Sequence, residues 1–211
     1  MVRALTVGQT KGRSAHLVIK LSGPASLTAK GDVDYSQDSP EMSMTMDMAQ
    51  LGSTDIELRL VDGIIYMHIP KATPAGKFLK IDPDDTTNPL TKSFSSLSRQ
   101  LDPMSSFRAM KSAVRSSKYV GTETVDGTST DHYVLTVDSA TLFKAMGQKL
   151  LPQVSKTLTY DVWLDDDDLL RRMKSEAGGE TTEMTLSDWG TSVEVSAPPA
   201  SKIVTVPTAA G

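Results

Sequence analysis

A chain of 211 residues with 38% hydrophobic content and a formal net charge of −4 has room for one large domain, with little apolar material to spare. The acidic balance argues against a general nucleic-acid binder, which needs a basic stripe to neutralise phosphates. Cysteine is absent, which excludes disulfides, thiolate metal sites and cysteine nucleophiles. No apolar run approaches the roughly 18 residues of a membrane-spanning helix.

No signal peptide precedes Val2, and residues 1–12 read as the remnant left where a leader has been removed. Beyond them the dominant signal is period-2 alternation, the mark of half-buried strands. Ala15, Leu17, Ile19 and Leu21 alternate with Ser14, His16, Val18 and Lys20. Met42, Met44, Met46 and Met48 alternate with Glu41, Ser43, Thr45 and Asp47, and Ile56, Leu58 and Leu60 with Asp55, Glu57 and Arg59. Asp62-Gly63 predicts a type I′ hairpin, because both turn positions need positive φ. Val61 then pairs with Ile64, and Leu60, Leu58 and Ile56 face Ile65, Met67 and Ile69. The opposite face sets Arg59 against Tyr66 and pairs Glu57 with His68 in solvent. A one-residue slip would scramble both faces, so the register is well specified.

The segment from Thr73 to Thr87, rich in Pro, Asp and Thr, predicts a surface loop. The period then lengthens. Asn88-Pro89 opens a helix carrying Leu90, Phe94, Leu97 and Leu101, and Asp102-Pro103 opens a second with Met104, Phe107, Met110 and Val114. Asp126-Gly127 predicts another hairpin, with Val120 opposite Tyr133. Ser139 is placed as the cap of a third helix, with Leu142, Phe143, Met146 and Leu150 on its inner side. Asp166-Asp167, Gly178-Gly179 and Trp189-Gly190 are candidate turns linking four strands. Counting from them puts Tyr160, Met173, Met184 and Val195 in one row, and Val162, Arg171, Leu186 and Val193 in the next. Residues 207–211 form a small polar tail.

The order is therefore meander, helices, hairpin, helix, meander. Amphipathic helices inserted into one antiparallel sheet must cover one of its faces. The expected fold is α+β, within a single domain over residues 1–211. It is a strongly curved antiparallel half-barrel with helices over its concave face and a hydrophobic cavity between.

Little chemistry competes with that cavity. His16, His68 and His132 fall in different strands without metal-ligand spacing, and are read as structural. Asp165 to Asp168 lacks the alternating ligands, glycine and distal glutamate of a calcium loop, and is read as a solvated turn. No nucleophile elbow, phosphate-binding glycine pattern or supported Ser-x-x-Lys occurs. No enzyme activity, cofactor or metal is expected. The Met42–Met48 row has two readings. It is either a strand packed on the core with methionine as filler, or a soft lining for variable apolar shapes such as acyl chains. The second reading joins Met42, Met44, Met46, Met48, Ile56, Leu58, Leu60, Ile65 and Met67 to Phe94, Leu97, Leu101, Phe107 and Met110. Leu135, Tyr160, Met173 and Met184 complete this candidate ligand-binding set.

The runs Leu60-Val61-Asp62-Gly63-Ile64-Ile65-Tyr66 and Gly76-Lys77-Phe78-Leu79-Lys80-Ile81-Asp82 resemble the LppX/LprG family of actinobacterial envelope lipoproteins. So do Thr159-Tyr160-Asp161-Val162-Trp163-Leu164-Asp165 with Leu169-Leu170-Arg171-Arg172, and the Gly121–Asp138 hairpin. The resemblance spans Ala15 to Val195 and rests on the order and spacing of these runs more than on any one. It implies a LolA-like half-barrel that binds or moves acylated lipids or glycolipids. It also implies an extracytoplasmic, monomeric lipoprotein tethered to the plasma membrane through a lipidated N-terminal Cys. That Cys is missing here, and Phe78 stands where the family pattern leads one to expect Trp. The rival readings are an envelope interaction or sensor module with a filled core, and a lipid or glycan hydrolase for which no nucleophile–base pair is present.

Overall fold

The computed structural model describes residues 11–23, 26–36, 40–48, 53–83, 85, 103–152 and 154–205, with backbone alone at 48, 53–54, 103–107 and 205. The first meander comprises β1 (Ser14–Ser22), β2 (Leu27–Asp34), β3 (Glu41–Met48), β4 (Ser53–Val61), β5 (Ile64–His68) and β6 (Phe78–Ile81). Helix α1 (Pro103–Ala113), strands β7 (Val114–Val125) and β8 (Thr128–Asp138), and helix α2 (Ser139–Ala145) follow. Strands β9 (Thr157–Leu164), β10 (Leu170–Ala177) and β11 (Glu180–Ser187) precede a short β12 (Ile203–Thr205). They form one open, curved sheet in the order β12-β6-β5-β4-β3-β2-β1-β11-β10-β9-β8-β7, antiparallel except where β12 runs parallel to β6.

The Asp62-Gly63 hairpin forms as expected. Asp62 and Gly63 take φ of 51° and 74°, and Val61, Leu60 and Leu58 face Ile64, Ile65 and Met67. Strand β2 escaped the sequence reading. Its inward positions are Leu27, Ala29, Gly31 and Val33, and two of these four are too small to register as hydrophobic alternation. Smallness is what the site requires. A Cβ on Gly31 would lie 2.0 Å from the Ser43 carbonyl oxygen and 2.6 Å from Met44 Cα. The strands approach there as only glycine permits, and the sheet bends.

Several local expectations are corrected. Residues 78–81 of the expected loop form β6: Leu79 and Ile81 face the core, while Phe78 faces the other way. Four residues bounded by Lys77 and Asp82 are too few to display a period. Strand β11 pairs with β1, closing the two meanders into one sheet, and residues 191–199 form no strand. Val195 instead packs with Ile64 and Ile203 on Val61, Tyr66 and Phe78, so a C-terminal strap covers a patch of the outer face that was read as solvated. Val120 is bulged out of the β7–β8 ladder, and Tyr119 faces Tyr133. Val114 leaves the helix to begin β7, and α2 ends before Leu150. The α2 cap is Asp138, whose carboxylate accepts from Thr141 N at 2.9 Å. Ser139 is fully buried and donates to the Ser155 carbonyl. The segment opened by Asn88-Pro89, with Phe94, Leu97 and Leu101, lies outside the described residues.

Candidate functional site

Three apolar rows cross the inner face of the sheet. The first runs Ala15–Val33–Met42–Leu60–Ile65–Ile81, each residue no more than 5% exposed. The second runs Leu186–Leu17–Gly31–Met44–Leu58–Met67–Leu79. The third crosses eight strands: Tyr133–Val162–Met173–Met184–Ile19–Ala29–Met46–Ile56. Helices α1 and α2 lie over this face, contributing Ala109, Met110, Ala113 and Leu142 to the same cluster.

The first row is buried throughout, whereas the third mixes buried Val162, Ala29 and Ile56 with partly open Tyr133, Met173, Met184, Ile19 and Met46. Met42, Met44, Ile56, Leu58, Leu60, Ile65, Met67, Met110 and Leu135 are buried, whereas Met46, Tyr160, Met173 and Met184 are only partly so. The structure thus brings these thirteen predicted residues into one continuous apolar surface. Met48 and Phe107 belong to β3 and α1, but their side chains fall outside the described residues. Three of the five partly open residues in the third row are methionine, which makes that surface deformable. Burial of the Tyr160 ring pushes its hydroxyl pKa up.

The row containing Tyr160 is corrected. Met173 faces Val162, and Tyr160 faces Ser175, two residues further along. The cause is the turn. Asp165 is no solvated aspartate: its side chain is 8% exposed and its carboxylate accepts from Asp167 N, Leu169 N and Arg171 Nε. That clasp lengthens the turn beyond two residues and puts an irregularity between Leu170 and Arg172. Arg171 is held by Asp165 at 2.7 Å instead of standing as a regular member of the row. Because the shift is an even number of residues, the face assignment survives.

The histidines also find partners the sequence did not name. His68 stands opposite Glu57, but its Nδ1 lies 2.7 Å from Thr73 Oγ1 and 2.8 Å from the Lys77 carbonyl oxygen. Glu57 has Arg59 at 3.9 Å instead. On the outer face His132 bridges Glu123 at 2.9 Å and Asp161 at 2.8 Å, and its ring stacks on Trp163. No nucleophilic hydroxyl joins that bridge among the hydrogen bonds of the described residues, and no group of three ligating side chains there could hold a metal.

These elements define an α+β protein with one curved, open antiparallel sheet and helices packed on its apolar face. The family model for LppX_LprAFG lipoproteins matches residues 2–195, and the chain belongs to that family. The fold is similar to the crystal structure of the lipoprotein LppX from Mycobacterium tuberculosis, with 19% identity, TM-score 0.64, and coverage of 92% of this chain and 96% of that one. It is also similar to LprF from Mycobacterium bovis, with 17% identity, TM-score 0.61, and coverage of 93% and 96%. No curated protein sequence matches the chain.

Proposed function

We propose that this protein binds the acyl chains of lipids or glycolipids between the third row and the helices, and carries them across the bacterial cell envelope. In this reading residues 1–211 act as one lipid-binding domain, working as a monomeric, extracytoplasmic lipoprotein held at the plasma membrane by an N-terminal anchor on the full-length precursor. Binding, not catalysis, is its task. The observation that carries the proposal is the uneven burial of the third row. Met42 and Leu58 are buried, yet Ile19, Met46, Met173 and Met184 on the same face stay partly open, with buried Ala29 between Ile19 and Met46. Partly open apolar side chains gathered on one face suit a binding surface, and each methylene buried there contributes about 0.8 kcal/mol.

The test is mass spectrometry, native and denaturing, of protein purified from a related host with its native leader, alongside titration with a fluorescent fatty-acyl probe. Co-purifying acylated lipid is expected, with probe uptake lost when Met173 and Met184 are both changed to Asp. Protein that is always empty and takes up no probe would instead favour an envelope interaction module built on the same fold.

A further inference from the structure

The β9–β10 ladder stops early. Its last pair is Tyr160–Ser175, although both strands continue: residues 157–159 stay paired with β8, and 176–177 with β11. The sheet is therefore split at this end, with intact ladders on both sides of the gap. A pocket of about 320 Å³ occupies the split. It is lined by 157–159 on one side, by 176–178 on the other, and by Val154 and Ser155 from the segment before β9.

We propose that this split receives the uncharged, polyhydroxylated headgroup of a lipid whose acyl chains lie on the apolar face, an inference that rests on the function proposed above. Three observations carry it. The first is continuity: Leu158 lines the pocket and also packs against the main core, beside Tyr160 on the same face. The second is chemistry. Ser155, Thr157 and Thr159 bring hydroxyls, and strand backbone beyond the ladder's end adds donors and acceptors that suit a polyol. Among the described residues that line the pocket there is no cation, and the one carboxylate, Glu176, is paired with Lys174 at 2.8 Å. An anionic headgroup would find no unpaired cation among these lining residues. The third is size, since the volume stands at the lower end of small-molecule sites, about 300–1,000 Å³.

The experiment uses three probes sharing one fluorescent acyl chain: a monoacylglycerol, the corresponding lysophosphatidic acid, and a fatty-acid methyl ester without hydroxyls. Wild-type protein is expected to prefer the monoacylglycerol over the lysophosphatidic acid by about tenfold. Ala177→Trp, which fills the split, is expected to abolish that preference while leaving methyl-ester binding within about twofold. The double change Thr157→Val with Thr159→Val removes hydroxyls without adding bulk, and is expected to narrow the preference in the same direction. An unchanged preference in both variants, or equal loss of all three probes in the folded valine variant, overturns the headgroup site and leaves acyl binding standing. Wild-type protein that binds none of the probes overturns the carrier reading and this site with it. Free glycerol or hexose that competes with the monoacylglycerol but not with the methyl ester supports the polyol site. Saturable binding of free sugar to protein that takes up no acyl probe would make the ligand a free sugar and overturn the lipid assignment.

Discussion

His132 and Trp163 stack with ring centroids 4.3 Å apart and planes 13° from parallel, and the Glu123 carboxylate bonds to both. The indole N–H of Trp163 donates to it at 2.9 Å, and His132 Nδ1 lies 2.9 Å from its other oxygen. Together, the Trp163 bond first, they hold the Glu123 carboxyl below its ordinary 4.5. A lowered folded-state pKa contributes stability above the ordinary value, lost as pH falls below it. Trp163→Phe keeps an aromatic ring on His132 and removes the donor. Urea midpoints measured at pH 7 and pH 4 should fall less for this variant than for the wild type. Equal falls would show that the Trp163–Glu123 bond contributes nothing to acid stability.

Asp138 sets a second, lower acid limb. Thr141 donates to its carboxylate through both side chain and backbone, and Arg115 pairs with it, bringing its pKa from 3.8 to about 2. Its stabilisation is complete above pH 4 and disappears as pH falls through 2. Asp138→Asn retains a cap acceptor but cannot ionise. The variant should start with a lower melting temperature at pH 7, and its gap from the wild type should close on titration to pH 2. A gap independent of pH would assign the cap's value to geometry alone.

Gly31→Ala should destabilise the fold by about 2 kcal/mol, since the added methyl meets backbone atoms that cannot turn aside. Chemical denaturation measures this directly. A neutral result would mean that β2 and β3 can separate at this point at little cost.

Two methionine or leucine truncations on the same face should behave oppositely. Leu58, 1% exposed, should cost about 3 kcal/mol as Leu58→Ala. Met184, partly open, should cost about 1 kcal/mol as Met184→Ala and weaken acyl-probe binding several-fold. The paired readouts, denaturation and probe titration, separate core from binding surface. If Met184→Ala is as destabilising as Leu58→Ala and leaves probe binding unchanged, the third row is core.

Phe78 anchors the strap on the outer face. It is 5% exposed beneath Arg59, whose guanidinium lies 5.1 Å from the ring centre and donates to the Ser196 carbonyl. Phe78→Ala should cost about 3 kcal/mol and open residues 195–205 to limited proteolysis well before the rest of the chain. Simultaneous cleavage throughout would show that the strap has no independent stability.

Strands with a repeated period and a turn of demanding chemistry were legible in the residues. The methionine alternation from Met42 to Met46 and the Asp62-Gly63 turn led to the right faces and the right register, because side-chain direction and turn dihedrals are local properties. The face assignment of Met173 held although the count from the turn was wrong, whereas Val195, counted into the same row, packs on the outer face. Strand β2 was illegible because Ala29 and Gly31 are small for the sake of a close approach that appears only once β3 is beside it.

The sequence by itself determined which residues of β1, β3, β4 and β5 face inward, the succession of meander, helix and hairpin, and the family. Only the tertiary structure decided that β11 closes on β1, that Val195 crosses the outer face, and that β9 and β10 part below Tyr160. It also decided that Asp165 clasps its own turn. Each of these depends on partners distant in the chain or on backbone geometry within a turn. Hydrophobic alternation specifies a face; it does not specify which edge the face will meet.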